Sequence, residues 1–115
     1  MPRFGAVAVA AALLVPTIGA LGCSSATPQR PPLDAAFARI QVHEAEIERA
    51  RLDVQRPGPD CDPTCTAARS ARLEQEGLCR VARDVDDADA LTRCNRAHGA
   101  VASLNAQAAR RCACR

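Results

Sequence analysis

Tryptophan and tyrosine are both absent from this 115-residue chain, and Phe4 and Phe37 are its only aromatic residues. Proteins that hold single-stranded nucleic acid stack bases on aromatic rings, so that class is excluded. Glycan recognition by ring stacking is disfavoured on the same ground. Lysine is missing too: all 15 basic residues are arginine, set against 13 acids and interleaved with them. Together with the abundant alanine, this bias reads as genomic base composition rather than chemistry. A nucleic-acid-binding domain concentrates positive charge in a patch or stripe, and none is present, so no nucleic-acid partner is expected.

The motifs of common catalytic sites are equally scarce. The chain has no glycine-rich phosphate loop, no HExxH pair and no Ser–His–Asp order. It lacks the CxxC of thiol oxidoreductases and the CxxCH of haem attachment. The neighbouring acids Asp86 and Asp87 read as helix caps. Glu44, Glu46 and Glu48 with Arg49 and Arg51 read as one solvated, charged helix face. No residue qualifies as catalytic, and the chain is not expected to be an enzyme.

What is present begins with Arg3 and the apolar run FGAVAVAAALLVPTIGALG over residues 4–22. A short basic region ahead of an apolar stretch is the layout of an export signal. The run is also long enough for one membrane-spanning helix. Pro16 and the dominance of alanine and glycine argue against that use. The run ends on ALGC, residues 20–23, which resembles the lipobox of bacterial lipoproteins, with Ala20 standing where leucine is usual. The resemblance implies removal of residues 1–22, attachment of diacylglycerol to the Cys23 thiol, and acylation of the new amine by a fatty acid such as palmitate. Two or three acyl chains on one residue anchor firmly where a single chain is marginal. Ser24, rather than Asp, follows the cysteine, which in Gram-negative lipoproteins goes with sorting to the outer membrane. The implied address is therefore the cell envelope, lipid-anchored at the outer membrane and facing the periplasm or the cell surface. The resemblance stops at Cys23 and carries no information on the mature fold.

Lipidation also resolves the cysteine count. Of seven cysteines, setting Cys23 aside leaves Cys61, Cys65, Cys79, Cys94, Cys112 and Cys114. An even set in an exported chain is what a disulfide framework requires. Cleavage before Cys23 leaves 93 of the 115 residues, enough for one domain. Large aliphatic residues are few beyond residue 32, and so thin a core needs staples. Three segments follow: a signal peptide over 1–22, a lipidated cysteine with a proline-rich tether over 23–32, and a disulfide-stapled helical domain over 33–115.

Periodicity predicts that domain to be all-α. Leu33, Ala36, Ile40, His43, Ile47, Ala50 and Val54 recur at alternating steps of three and four, the seam of a helix over 33–56. PGPD, residues 57–60, ends it. A second helix over 61–85 is expected to start with Asp62 as N-cap and Pro63 at its first position, with a weak point at Gly77. DDAD, residues 86–89, caps a third helix over 88–111 with the seam Leu91, Cys94, His98, Val101, Leu104 and Ala108. The short link makes the second and third helices an antiparallel hairpin beside the long first helix, in a small bundle.

Folding about Asp86 sets Cys79 opposite Cys94, and brings Cys61 and Cys65 near Cys112 and Cys114. Inner meeting inner favours Cys79–Cys94, Cys65–Cys112 and Cys61–Cys114. The alternative, Cys61–Cys112 with Cys65–Cys114, requires a crossed ladder. Cys112 and Cys114 cannot both face the second helix from a regular helix, so the third must unwind near Cys112. The same four cysteines have the chemistry of a zinc site, and His43 and His98 lie on apolar seams, but thiols in an oxidising compartment pair. No metal and no cofactor are expected, and the histidines read as partly buried, hydrogen-bonded side chains. The function this supports is a structural, scaffolding or protein-interaction role in the envelope. The membrane is its partner through the N-terminal lipid, and self-association through helix 33–56 is a further expectation. A Cys/His metal-binding protein and a thiol–disulfide exchanger are the alternatives.

Overall fold

A computed structural model describes Gly22 and residues 29–114; the apolar run through residue 21, Cys23 and the tether through residue 28 lie outside the described residues. Three helices follow one another: α1 Leu33–Gln55, α2 Cys61–Val85 and α3 Ala88–Arg111, with no strand among the described residues. At about 1.5 Å per residue each is roughly 35 Å long. The domain is an all-α bundle in which a long first helix packs on an antiparallel hairpin, stapled by three disulfides.

The seam of α1 is spent inside this bundle. Ala36, Ile40, Ile47, Ala50 and Val54 are all buried, while Leu33 remains 47% exposed. Any contact between α1 and a second copy therefore has to use another face. α2 spans the expected residues, but its cap lies two residues earlier than the sequence suggests. Asp60, not Asp62, is its N-cap, its side chain accepting from the Asp62 amide at 3.0 Å. Pro63 thus sits at the third helical position, still within the first turn, where no intrahelical N–H bond is lost. α2 also runs without interruption through Gly77.

Asp86 ends α2 in the left-handed region at φ 52°, a conformation that aspartate tolerates better than most residues. Asp87 then caps α3, accepting from the amides of Asp89 and Ala90 at 2.9 and 3.1 Å. The buried face of α3 is Ala90, Ala97, Val101, Leu104 and Ala108, with Cys94 partly buried against it. Leu91 and His98, expected on that face, are exposed instead. Their alanine neighbours replace them because α2 and α3 approach to 4.8 Å between the Cα atoms of Cys79 and Cys94. Only small side chains fit beside so close a crossing.

The packing order fixes the ends. Arg30, just ahead of α1, lies 3.5 Å from Asp86 in the α2–α3 turn. Arg111 at the end of α3 reaches the end of α1. α1 and α3 are therefore parallel and α2 runs against both. The tether enters beside the turn, and the cysteine-rich termini of α2 and α3 lie at the opposite, distal end.

Candidate functional site

The distal end is the most chemically distinctive part of the domain. Cys61 bonds to Cys112 and Cys65 to Cys114, while Cys79 and Cys94 close the hairpin near its turn. The favoured inner-to-inner order for the distal pairs is thus corrected to the crossed one. The reason is where α3 stops. It ends at Arg111 level with the first residue of α2, and Cys112 leaves it in extended conformation, φ −142° and ψ 140°. The Cys114 amide then donates to the Cys112 carbonyl at 3.0 Å, so the chain turns back along α2 instead of running past its end. Cys114 reaches Cys65, one helical turn further in. Continuation in the direction of α3, the premise of the uncrossed ladder, does not occur.

Arg111 completes this clamp. Its guanidinium donates to the Val54 carbonyl and, at 2.9 Å, to that of Arg56. α1 has no basic residue in its own last turn, so α3 supplies the cation that its C-terminal carbonyls favour. One arginine beside Cys112 thereby ties all three helices together.

Midway along the bundle, His43 fills a gap between α1 and α2. Its Nδ1 lies 2.7 Å from the Glu74 carboxylate. Its ring lies so close to Gly77 that a Cβ there would come within 2.6 Å of Cε1 and 3.0 Å of Nε2. Gly77 is the residue that admits the imidazole, which explains a glycine in the middle of a 25-residue helix. His98 is exposed on α3 and does not join it. On the other side of α1, the Arg93 guanidinium bridges Asp89 at 3.0 Å and Glu44 at 3.1 Å. It also stands 5.3 Å from the centre of the Phe37 ring, a cation–π contact. The Asp89 hydrogen bond, with the charge of Glu44, raises the Arg93 pKa above its usual value. Glu48 is held below the ordinary carboxylate value, chiefly by its hydrogen bond to Arg51.

Two open grooves flank α1. One, of about 640 Å³, lies against the start of α2 and mixes Glu46, Asp53, Asp60 and Asp62 with Arg49 and Arg56. The other, of about 330 Å³, lies against α3, with Ile47, Ala97 and Ala100 between Glu44, Arg93 and Arg96. All six cysteines of the domain are in disulfides, so none offers a thiolate for metal binding or exchange in this state. Among the described residues, no three of His, Cys, Asp and Glu come together as a ligand set, and no helix is long and apolar enough to cross a membrane. The lipid-attachment candidate Cys23 lies outside the described residues.

The Arg111 cap and the Arg93–Phe37 contact were missed at the level of sequence. Both join residues more than fifty positions apart, and no local pattern carries that information. Gly77 does carry a local signal: a helix-interior glycine implies a neighbour that needs the space. No protein-family model matches this chain, and no curated protein or solved structure does either.

Proposed function

We propose that this protein is a small lipoprotein of the bacterial cell envelope, anchored through Cys23, whose helical domain is a rigid structural or interaction module. One observation carries the reading. The six cysteines after residue 60 pair among themselves, which leaves Cys23, in the lipobox-like ALGC, as the odd one out. Pairing of that kind belongs to an oxidising compartment, and the apolar run ahead of Cys23 has the layout of an export signal. The tether enters beside the α2–α3 turn, so an anchor at Cys23 presents the distal clamp away from the bilayer.

Stapled at both ends of its hairpin, the domain keeps its surface fixed. Recognition by such a module rests on faces rather than on a reactive group. The test is metabolic labelling with radioactive palmitate in a bacterial host, followed by membrane fractionation. Label on the wild-type chain in the membrane fraction, and none on Cys23→Ser, supports the reading. An unlabelled wild-type chain recovered in the soluble fraction overturns it.

A further inference from the structure

The two bonds of the distal clamp are not equivalent. Cys112 is 8% exposed, and the sulfur of its partner Cys61 stands 3.8 Å from the Arg111 carbonyl oxygen. Cys114 is exposed and Cys65 only partly buried. Past Cys112 the tail makes one hydrogen bond among the described residues, from the Cys114 amide to the Cys112 carbonyl, and that bond is internal to the tail. Its link to α2 is therefore the Cys65–Cys114 disulfide. The two bonds also span almost the same chain, 51 and 49 residues. While one is shut, opening the other frees little chain; the second to open releases the whole loop. Exposed disulfides of small structural value are the ones that exchange with thiols.

We propose that Cys65–Cys114 is a redox latch over an inner lock, Cys61–Cys112, and that the two open in that order to release the end of α1. The device goes beyond the interaction reading above and needs neither the lipid nor a partner surface. Its co-reactant is a dithiol reductant, either a small dithiol or a protein with two vicinal thiols. One thiolate of the reductant attacks the exposed Cys114 sulfur, and Cys65 leaves as a thiolate with Arg69 one turn along the same helix to stabilise it. The second thiol of the reductant then attacks its partner sulfur in the mixed disulfide, and Cys114 leaves in turn. Two electrons and two protons pass to the clamp, and the reductant ends as a disulfide. With the latch open, Cys112 still pins α3 to α2, so Arg111 keeps its bonds to the Val54 and Arg56 carbonyls. Opening the lock removes that pin. Arg111 then loses its fixed place, and α1, with no basic residue in its own last turn, frays there.

The test equilibrates the full-length oxidised chain in detergent micelles with graded ratios of reduced to oxidised dithiothreitol. Free thiols are trapped with N-ethylmaleimide and placed by peptide mass spectrometry. Cys65 and Cys114 should be labelled first, and Cys61 and Cys112 only at a ratio at least about tenfold higher. Amide exchange in the last turn of α1 should be unchanged while the latch alone is open. It should rise at least about tenfold when the lock opens, with the first turn of α1 keeping its rate. In Arg111→Ala the lock should open with no further rise at that end, because the grip it releases is already gone. Label on Cys79 or Cys94 ahead of Cys65 and Cys114, or on both distal pairs at one ratio, overturns the proposal. So does faster exchange along the whole of α1, which is unfolding rather than release, or unchanged exchange with all four distal thiols free. None of these outcomes reads the acyl adduct on Cys23, so the anchored reading stands or falls apart from them.

Discussion

Replacing Gly77 with alanine would ordinarily stabilise a helix interior by about 1 kcal/mol. Here the added methyl would stand 2.6 Å from His43 Cε1, well inside van der Waals contact. The imidazole ends a side chain, so it can swing aside, but only by giving up its 2.7 Å bond to Glu74. Losing that bond costs roughly 1–2 kcal/mol, and disturbing the packing around the ring adds to it, so the propensity gain is offset or reversed. The expected result is Gly77→Ala neutral to about 1 kcal/mol destabilising in the wild-type chain. In a His43→Ala background the same change should stabilise by about 1 kcal/mol, because the space is then empty. Urea unfolding of the four proteins with disulfides intact, followed by circular dichroism at 222 nm, measures the cycle. Equal stabilisation by Gly77→Ala in both backgrounds would refute the close contact and with it the reason given for the glycine.

Other consequences follow from the same geometry. The two distal disulfides close nearly the same loop, so in the chain-entropy picture either one covers for the other. Removing Cys61–Cys112 or Cys65–Cys114 as alanine pairs should cost roughly 2 kcal/mol each, whereas removing both should cost roughly 6; additive losses in thermal unfolding would contradict the redundancy. Arg111→Ala should destabilise by about 1–2 kcal/mol and speed amide exchange over the last turn of α1, because the carbonyls of Val54 and Arg56 lose their donor. Unchanged exchange there would mean α1 needs no outside cap. Glu48, held below its ordinary pKa of 4.5 by Arg51, contributes stability that is present above the unfolded value and lost as pH falls through the folded one. NMR titration should find that depression abolished in Arg51→Gln, and a Glu48 midpoint indifferent to this change would dismiss the pair.

Much of the fold could be read from periodicity because the three helices advertise themselves at their ends. PGPD stops the first, and the acids at 86 and 87 turn the chain between the second and third. The hairpin disulfide Cys79–Cys94 follows from folding about that turn. What could not be read was decided by distances across helices. The face of α3 rotated by one residue, burying Ala90 and Ala97 in place of Leu91 and His98, and these small side chains flank the close approach of α2 and α3 at Cys79–Cys94. The distal pairing crossed because α3 ends level with Cys61 and the chain doubles back, a matter of helix length that spacing alone does not determine.

An intact-mass measurement on the protein extracted from bacterial membranes without reductant tests the account at its centre. The expected species starts at Cys23, carries the mass of a diacylglyceryl group with or without an amide-linked acyl chain, and is lighter by six hydrogens for three closed disulfides. A species that retains residues 1–22, or one that takes up thiol-alkylating reagent at the cysteines beyond residue 60, would contradict it.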